Sequence, residues 1–546
     1  MDEKKTKTQI KQATAKEKML KGSAWMTAGS IFSRVLGAIY IIPWYSWFGD
    51  ERLQANALYT KGYTIYSLFI MLATAGIPAA VAKQVAKYNA LNEYQIGRRL
   101  YKKSFGIMLV LGIVCALILW FGAPFISQGD KNVIPVYRSL AIALTVIPVM
   151  SLTRGFFQGY QDMAPSALSQ LVEQIVRIVY MLAATFLIMQ ILKKDYVVGV
   201  IHSTFSAFIG ALGGLGLLLF YYLKKQKTFK RLAQNSHNSL QISDNQLLKE
   251  VLSQSIPFIL VGSAINIYNL IDQYSFQPIM QHVNHWSLET INAYYALFAG
   301  NANKLIMIAV SLGSALAATV VPLLSEAATK KDQAAIQKQL LDSFELFLFV
   351  MLPSSFGMAA VASPLYVLFY GYNFTGIYVL RISAYLALFL GMFMVCAALV
   401  QGVYHNKMAI KYTLIGLIIK LILQYPLTAF LNVYGPLLAT GIGMAVSCWL
   451  MLSFLYHKYQ LNIIKTQKRA NLLLIFAFLM YGLVLLIVWG VHLFIDPTNR
   501  LASVFVLVLA TGIGGYFYIF LCLKSRLADA LLGAKANRLR HLLKIK

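Results

Sequence analysis

The sequence predicts an all-α polytopic membrane protein with fourteen transmembrane helices. The chain has 546 residues, of which 58% are hydrophobic and only 12% are charged, whereas soluble domains average about 25% charged residues. Apolar runs of about 20 residues recur along almost the whole length, enough to cross a hydrocarbon core roughly 30 Å thick. Because backbone polar groups in lipid must be satisfied within their own segment or in a closed barrel, continuous runs of this length favour helices.

The predicted spans follow one another with mostly short connections. The first has no small-residue cleavage site behind its apolar stretch, so we expect it to stay as an anchor. The eighth is the longest and is expected to bend or to project beyond the bilayer. The fourteen spans are 23–47, 62–86, 104–127, 136–158, 166–192, 196–223, 251–280, 290–326, 340–361, 376–401, 409–431, 435–457, 472–495 and 501–523.

The distribution of Lys and Arg predicts the orientation. Both tails and every second loop carry most of these residues, and loops that retain them are typically cytoplasmic. We therefore expect both termini on the cytoplasmic side. The formal net charge of +28 is explained by this topology and by contact with anionic inner-leaflet lipids, so no nucleic-acid partner is expected. The basic C-terminal tail, 524–546, is expected to lie on that surface.

Catalytic and metal-binding motifs are not found in the sequence. The four cysteines lie in or at the ends of apolar spans without ligand-like spacing, which argues against a zinc site or a disulfide framework. Neither a phosphate-binding Gly-rich loop nor a Gly-x-Ser-x-Gly motif is present. A membrane-embedded glycosyltransferase would need an acidic catalytic cluster, whereas the longest loop, 224–250, is basic and polar. We expect a transporter without a bound cofactor rather than an enzyme.

Polar residues occupy one face of the fifth predicted span. Gln170, Glu173, Gln174 and Arg177 are spaced i, i+3, i+4 and i+7, so they share one side of a helix. Lining a hydrated cavity is one interpretation of this face. Alternatively, Glu173 and Arg177 form a purely structural i, i+4 pair.

Further basic residues lie where lipid is expected. A charge at the bilayer centre costs at least about 2.5–3.5 kcal/mol, so such residues face water, pair with an acid or reach the membrane surface. For Arg34 and Lys304, which have no acid nearby in sequence, a cavity is favoured. For Arg381 and Lys420, reaching the surface is an equal alternative. The basic residues that lie away from the ends of the predicted spans are Arg34, Arg177, Lys304, Arg381 and Lys420.

Amides accompany these charges in the seventh and eighth spans. A single Asn in a membrane helix usually bonds another helix, but this many beside basic residues predicts a hydrated chamber with a net positive charge. Such a chamber suits a phosphate or pyrophosphate, which Arg binds in a bidentate manner. The polar residues that we assign to it here are Asn266, Asn269, Asp272, Gln273, Asn301 and Lys304. Asp272 could alternatively bind H⁺ or Na⁺ for coupling.

A weak internal repeat predicts the domain organisation. Gln-Gly at 158–159 and at 401–402 ends one helix, Met-Ala opens the next, and a base follows 12–14 residues after the Met, at Arg177 or Lys420. These matches lie six helices apart, which indicates two parallel six-helix halves. The predicted segments are a basic tail (1–22), an N-terminal lobe (23–223), a linker (224–250), a C-terminal lobe (251–457), two further helices (472–523) and a basic tail (524–546).

Three motifs together resemble the MOP exporter superfamily and, within it, the MurJ-like lipid II flippases of the branch that includes SpoVB- and YtgP-type proteins of Gram-positive bacteria. They are SRVLG at 33–37, GIPAAVAK at 76–83 and QGYQDMAPSALSQLVEQIVR at 158–177. The resemblance implies two lobes around a cationic cavity and alternating access in a bacterial plasma membrane. It also implies that the cargo is undecaprenyl-pyrophosphate-linked peptidoglycan precursor, moved from the inner to the outer leaflet. The last two helices would hold the lipid tail, and cell-wall synthesis proteins would be partners.

The chain departs from the family pattern in the first span. The better-known branch has a second Arg three residues after the Gly of SRVLG, usually followed by Asp, whereas this chain has Tyr40 and Ile41. Arg34 therefore matches the first Arg of the family pattern, whereas this chain has no counterpart of the second Arg. Either Arg177 or Lys304 compensates, or the headgroup is bound differently.

The resulting hypothesis assigns a role to each group. Arg34, Arg177 and Lys304 attract the pyrophosphate, and Glu173 holds Arg177 while the site is empty. The polar residues of span seven bond sugar or peptide groups. Transport is coupled to H⁺, Na⁺ or the membrane potential. A flippase for a capsule, O-antigen or teichoic precursor is the alternative. A MATE-type multidrug antiporter is a second one, although a site for organic cations should be acidic and aromatic.

Overall fold

The computed structural model describes residues 37, 39–74, 76–236, 243, 246, 259–532, 536 and 540, and this part of the chain contains helices and connecting turns but no strand. The predicted all-α fold is confirmed. The α-helices are α1 (Ile41–Trp47), α2 (Arg52–Thr74), α3 (Ile77–Ala90), α4 (Tyr94–Ile126), α5 (Val133–Leu144), α6 (Ile147–Gly159), α7 (Met163–Phe186), α8 (Tyr196–Gln234), α9 (Ala264–Asn284), α10 (Leu288–Tyr295), α11 (Asn303–Thr329), α12 (Gln333–Ala360), α13 (Ala362–Tyr370), α14 (Phe374–Gly402), α15 (Asn406–Leu431), α16 (Gly435–Tyr459), α17 (Ile464–His492), α18 (Arg500–Lys524) and α19 (Leu527–Leu532).

Ten helical segments of the described chain are long and apolar enough to cross a membrane. One of them, Asn406–Tyr459, contains both α15 and α16. The start of the first predicted span (23–47) and part of the seventh (251–280) lie outside the described residues. The number fourteen therefore stays a prediction.

Two predicted spans are broken into separate helices. The span 62–86 is interrupted between α2 and α3, where Gly76 has φ +80°, a conformation that residues with a side chain rarely adopt. The span 136–158 is interrupted between α5 and α6. In both cases a proline, Pro78 or Pro148, lies in the first turn of the second helix, where its missing N–H needs no partner. Apolarity alone did not reveal these breaks.

Two other spans differ in length and regularity. Helix α8 continues to Gln234, so the first residues of the predicted linker 224–250 are helical; its Lys, Leu and Gln residues are good helix formers. The long eighth span is interrupted by a π-helical segment, Ala296–Ala302, between α10 and α11. A π-helical turn bonds i to i+5 and is often associated with function.

Contacts divide the chain into two compact units, 1–267 and 268–546. In the first unit, α7 and α8 pack along each other, and in the second unit α15 and α16 do the same. Helices α17 and α18 pack on α12 through a buried core that includes Leu352, Ala477 and Val506. The predicted lobe boundaries stay predictions.

Candidate functional site

Helix α7 carries the polar face that the sequence predicts. It begins at Met163 and ends at Phe186, so the i, i+3, i+4 and i+7 spacing places the four polar side chains on one side. All four are half-buried, whereas Ile175 and Val179 of the same helix are exposed. The residues of this half-buried face are Gln170, Glu173, Gln174 and Arg177.

The predicted pairing of Glu173 with Arg177 is wrong. Glu173 Oε2 accepts a hydrogen bond from Arg154 Nη2 of α6 at 2.7 Å. Arg154 Nε also donates to Ser169 Oγ of α7 at 2.7 Å. The neighbouring helix thus supplies the counter-charge that sequence spacing assigned to Arg177. Sequence reasoning missed Arg154, which lies near the end of the fourth predicted span.

Arg177 is held by tyrosine hydroxyl groups from α2. Its Nη2 donates to Tyr63 Oη at 2.5 Å and to Tyr59 Oη at 3.4 Å. The guanidinium carbon also lies 5.2 Å from the centre of the Tyr63 ring, a cation–π distance. The Tyr59 and Tyr63 rings stack at 4.4 Å, and Tyr40 Oη lies 3.4 Å from Tyr59 Oη. These tyrosines were not predicted as site residues.

The backbone of α7 can approach α8 at this point because α8 has glycines there. A Cβ atom built on Gly210 would lie 2.8 Å from both Arg177 Cβ and the Glu173 carbonyl oxygen. One built on Gly214 would lie 3.2 Å from Glu173 Cβ. Small residues four apart allow such close approach between membrane helices. The position of Arg177 relative to α2 therefore depends on two glycines of a third helix.

Two other cations of the first unit, Lys61 and Arg154, have carboxylate partners. Lys61 of α2 donates to Asp130 at 3.0 Å, and both side chains are buried. Arg154 is paired with Glu173 as described above. Arg177 differs because its described partners are neutral hydroxyl groups. Its positive charge is balanced by no described carboxylate within ion-pair distance.

A second buried cation lies in the other unit. Lys420 of α15 is fully buried, and its Nζ donates to Asp272 Oδ1 of α9 at 2.7 Å and to Thr440 of α16 at 2.5 Å. Gln424 Nε2 donates to Asp272 Oδ1 at 3.0 Å and to Ser275 at 2.9 Å. The alternative in which Lys420 reaches the surface is wrong. Asp272, predicted as a cargo or ion ligand, has an ammonium partner in this structure, and its predicted role stays a prediction.

The remaining predicted residues are placed in different surroundings. Asn301 is fully buried and donates to Tyr366 Oη at 2.8 Å. Gln273 is buried and accepts from Tyr295 Oη at 3.5 Å. Asn266, Asn269 and Lys304 are half-buried. Arg34 lies outside the described residues, so its role stays a prediction.

Arg381 of α14 lies beside an aromatic ring. It is half-buried, with its guanidinium carbon 5.3 Å from the centre of the Tyr378 ring. The described residues contain no group of three or more His, Cys, Asp or Glu side chains that could hold a metal ion.

An apolar groove of about 520 Å³ runs between α12, α17 and α18. Gly357 of α12, Met480 and Val484 of α17, and Gly514 and Gly515 of α18 are among its lining residues. Gly515 leaves open space beside α18, whereas Gly514 lets α18 approach Val484 closely, and the bulkier side chains provide apolar walls. We call this space the α17–α18 groove.

Comparison with known sequences finds a matching family and similar proteins. The family described as Polysaccharide biosynthesis protein matches residues 19–328. Lipid II flippase MurJ of Bacillus subtilis (strain 168) is 34% identical over 538 residues, which cover 95% of this chain and 97% of the relative. Stage V sporulation protein B of the same organism is 25% identical over 441 residues, with 79% and 82% covered.

Solved structures share the fold. A structure titled "Lipid II flippase MurJ, inward closed conformation" has a TM-score of 0.59 and 13% identity, and covers 90% of this chain and 98% of that one. An outward-facing multidrug resistance MATE family transporter of the MOP superfamily also has a TM-score of 0.59, with 15% identity and 82% and 96% covered. Similarity at this level concerns the fold alone.

Proposed function

The chain belongs to the MurJ-like lipid II flippases of the MOP exporter superfamily, and from this membership we propose that it carries undecaprenyl-pyrophosphate-linked peptidoglycan precursor from the inner to the outer leaflet by alternating access. It is a multi-pass protein of the bacterial plasma membrane and a transporter rather than an enzyme. The 34% identity to a lipid II flippase over nearly both full lengths supports this cargo. The concentration of Lys and Arg on both tails supports cytoplasmic termini.

The observation that carries the proposal is the environment of Arg177. Its hydrogen bonds go to the neutral hydroxyls of Tyr59 and Tyr63. Both hydrogen bonds have a charged donor but a neutral acceptor, whereas a pyrophosphate offers charged acceptors that a guanidinium binds in a bidentate manner. A pyrophosphate that reaches Arg177 would therefore replace bonds to neutral hydroxyls by stronger bonds to an anion. A carboxylate partner would compete with the cargo, but Glu173 is engaged by Arg154.

The two ends of the cargo need different surroundings. Stripping hydrogen bonds from a saccharide–peptide headgroup in lipid is prohibitive, so a wet polar path must replace its hydration. The half-buried polar face of α7 supplies part of such a path. The apolar α17–α18 groove is suited to the polyprenyl tail.

For the coupling of transport, we propose that Na⁺ does not bind at Asp272. The Lys420 ammonium already provides a positive charge 2.7 Å from its carboxylate oxygen. A Na⁺ ion at Asp272 would be repelled by the Lys420 ammonium, which is part of the chain and cannot diffuse away. The membrane potential or H⁺ would then drive the cycle. Transport is expected to be equal in matched NaCl and KCl solutions.

A second cargo of the same chemical class is supported by the family match. The description Polysaccharide biosynthesis protein applies to residues 19–328, which include Arg177, and other lipid-linked saccharides also carry a pyrophosphate. Rescue of cells depleted of their lipid II flippase would favour the peptidoglycan precursor. Rescue only of a capsule, O-antigen or teichoic mutant would favour the alternative.

Reconstitution with Arg177→Ala tests the proposal. Loss of even one charged hydrogen bond is expected to slow precursor translocation at least about tenfold, measured as precursor exposed in the far leaflet of proteoliposomes. Arg138→Ala is the matched control, because that half-buried guanidinium also lies over an aromatic ring, Trp120, at 5.6 Å. Wild-type rates in Arg177→Ala would overturn the assignment of the pyrophosphate to this residue.

A further inference from the structure

A second apolar groove lies where α16 ends and α17 begins. It has a volume of about 420 Å³ and is separate in its lining from the α17–α18 groove. Phe344 of α12, Trp449 and Tyr456 of α16, and Ala470 of α17 are among its lining residues. Trp449 and Tyr456 are exposed on the surface of the unit. We call this space the α16–α17 groove.

Buried hydrogen bonds fix the walls of this groove. The Glu345 carboxylate of α12 is buried and accepts from Thr466 Oγ1 at 2.5 Å and from Arg469 Nη1 at 2.8 Å, both on α17. Gln337 Nε2 of α12 donates to the Tyr459 carbonyl at the end of α16 at 2.8 Å. The start of α17 and the end of α16 are thus both tied to α12. The groove is a preformed feature of the second unit.

One end of the groove carries an excess of positive charge. Lys465 and Lys468 are exposed in the first turns of α17 and flank the lining residue Gln467. Lys458 is exposed in the last turn of α16. The two carboxylates of α12 do not offset these three lysines: Glu345 is buried and engaged by Arg469, and Asp342 alone is exposed. The groove therefore combines an apolar body with a cationic mouth.

We propose that the α16–α17 groove binds an anionic glycerophospholipid of the surrounding bilayer. One acyl chain fills the apolar body, and the phosphate lies at Lys465 and Lys468. Charge complementarity selects this occupant: a zwitterionic lipid would bring its own cation to the lysines, and inorganic phosphate would leave the apolar body empty. The charge bias of the loops places this mouth at the inner leaflet, where anionic lipids attract basic residues. The site is independent of the cargo and of Arg177.

Occupancy would link α17 to α12 and α16 through lipid. The bound chain would contact Phe344 of α12, Trp449 of α16 and Ala470 of α17 at once. Anionic lipid is therefore expected to raise the thermal stability of the purified protein more than zwitterionic lipid does.

Trp449 provides the probe for the test. Proteoliposomes of phosphatidylcholine would contain an equal mole fraction of either brominated phosphatidylglycerol or brominated phosphatidylcholine, since bromine quenches tryptophan fluorescence on contact. The difference between the wild-type protein and Trp449→Phe isolates the signal of Trp449 from that of the other tryptophans. We expect stronger quenching of Trp449 by brominated phosphatidylglycerol. Equal quenching by the two lipids would overturn the proposal.

Two variants locate the site. Lys465→Gln/Lys468→Gln is expected to weaken the preference for phosphatidylglycerol by about fivefold for each lysine removed. The matched control is Lys407→Gln/Lys411→Gln, which removes two exposed lysines from the first turns of α15. An unchanged preference in the first pair, or an equal loss in the control pair, would overturn the assignment of the phosphate.

A third variant and a competitor identify the acyl chain. Ala470→Phe fills the groove without changing charge and is expected to abolish the preferential quenching. If Ala470→Phe had wild-type thermal stability and still showed the preferential quenching, the assignment of the acyl chain would be overturned. Displacement of the brominated lipid by trace polyprenyl-pyrophosphate precursor would overturn the choice of a bilayer lipid in favour of the cargo.

Discussion

Arg177 and Lys420 occupy corresponding places in the two units but have opposite environments. Each follows a turn in which a Gln-Gly pair ends one helix and a residue with positive φ connects it to the next. Those residues are Gln161, with φ 59°, and Tyr404, with φ 62°. The main-chain bonds match as well: Gln161 N donates to the Gln158 carbonyl at 2.8 Å, and Tyr404 N to the Gln401 carbonyl at 3.0 Å.

Beyond the shared turn, the neighbouring helices decide what each charge can do. Arg177 is half-buried and bonded to tyrosine hydroxyls, so it remains a cation that can receive an anion. Lys420 is fully buried and bonded to Asp272, so its charge is neutralised within the unit. A repeated motif therefore fixes the position of a base along a helix, but not whether its charge is available to a ligand.

Removing the amine of Lys420 should have the largest effect on stability. Lys420→Met leaves the buried Asp272 carboxylate without its ion partner, and breaking a buried pair in this way costs about 3–5 kcal/mol. Thermal unfolding in detergent measures the loss. Lys411→Met on the exposed face of the same helix is the control and should change stability little.

The double variant Lys420→Met/Asp272→Leu sharpens this result. It removes both charges, and replacing a buried pair by apolar residues is often neutral, so most of the stability should return. A double variant as unstable as Lys420→Met would show that the cost comes from packing and not from the unpaired carboxylate. If Lys420→Met alone unfolded no earlier than wild type, the contrast between the two cations would fail.

Crowding the helix contact beside Arg177 should have an intermediate effect. Gly210→Ala places a Cβ 2.8 Å from Arg177 Cβ, and overpacking typically costs about 1–3 kcal/mol. Stability and translocation should both fall. Gly216→Ala is the matched control, because a Cβ at Gly216 of the same helix meets nothing within 4 Å. Equal behaviour of the two variants would contradict the role of Gly210 in positioning Arg177.

Removing one hydroxyl from the Arg177 environment should have the smallest effect. Tyr63→Phe deletes the acceptor at 2.5 Å, but it leaves the guanidinium that binds the anion and its second acceptor, Tyr59, in place. Translocation should change several-fold at most, well below the effect of Arg177→Ala. Tyr66→Phe, on a ring packed edge-on against Tyr63, is the control. A loss in Tyr63→Phe as large as in Arg177→Ala would indicate that the tyrosine itself binds the cargo.

The sequence predicts the elements of this molecule better than their contacts. Long apolar runs locate the helices, and the 3.6-residue period correctly predicts that the polar residues of α7 share one side of the helix. The breaks at Gly76 and before Pro148 were missed because an apolar run does not show where a chain needs positive φ or where a new helix starts.

Ion pairs between distant segments were beyond sequence reasoning. Lys420 and Asp272 are 148 residues apart, and Lys61 and Asp130 are 69 apart. Their pairing depends on which helices pack together, which spacing along one helix cannot reveal. The i, i+4 rule predicted Arg177 as the partner of Glu173, but Glu173 pairs with Arg154 of another helix. Arg34 and the shared chamber that we expected around it stay predictions.

The π-helical segment between α10 and α11 holds one residue more than a regular α-helix would in the same turn. Its hydrogen bonds run from i to i+5 instead of i to i+4, so the extra residue of Ala296–Ala302 is accommodated locally. Deleting one residue there would let a regular α-helix form while Lys304 and the later side chains of α11 kept nearly their present direction. Deleting one residue inside α11 itself would instead turn every later side chain by about 100° around the helix axis. A single deletion should accordingly be tolerated better in these seven positions than within α11.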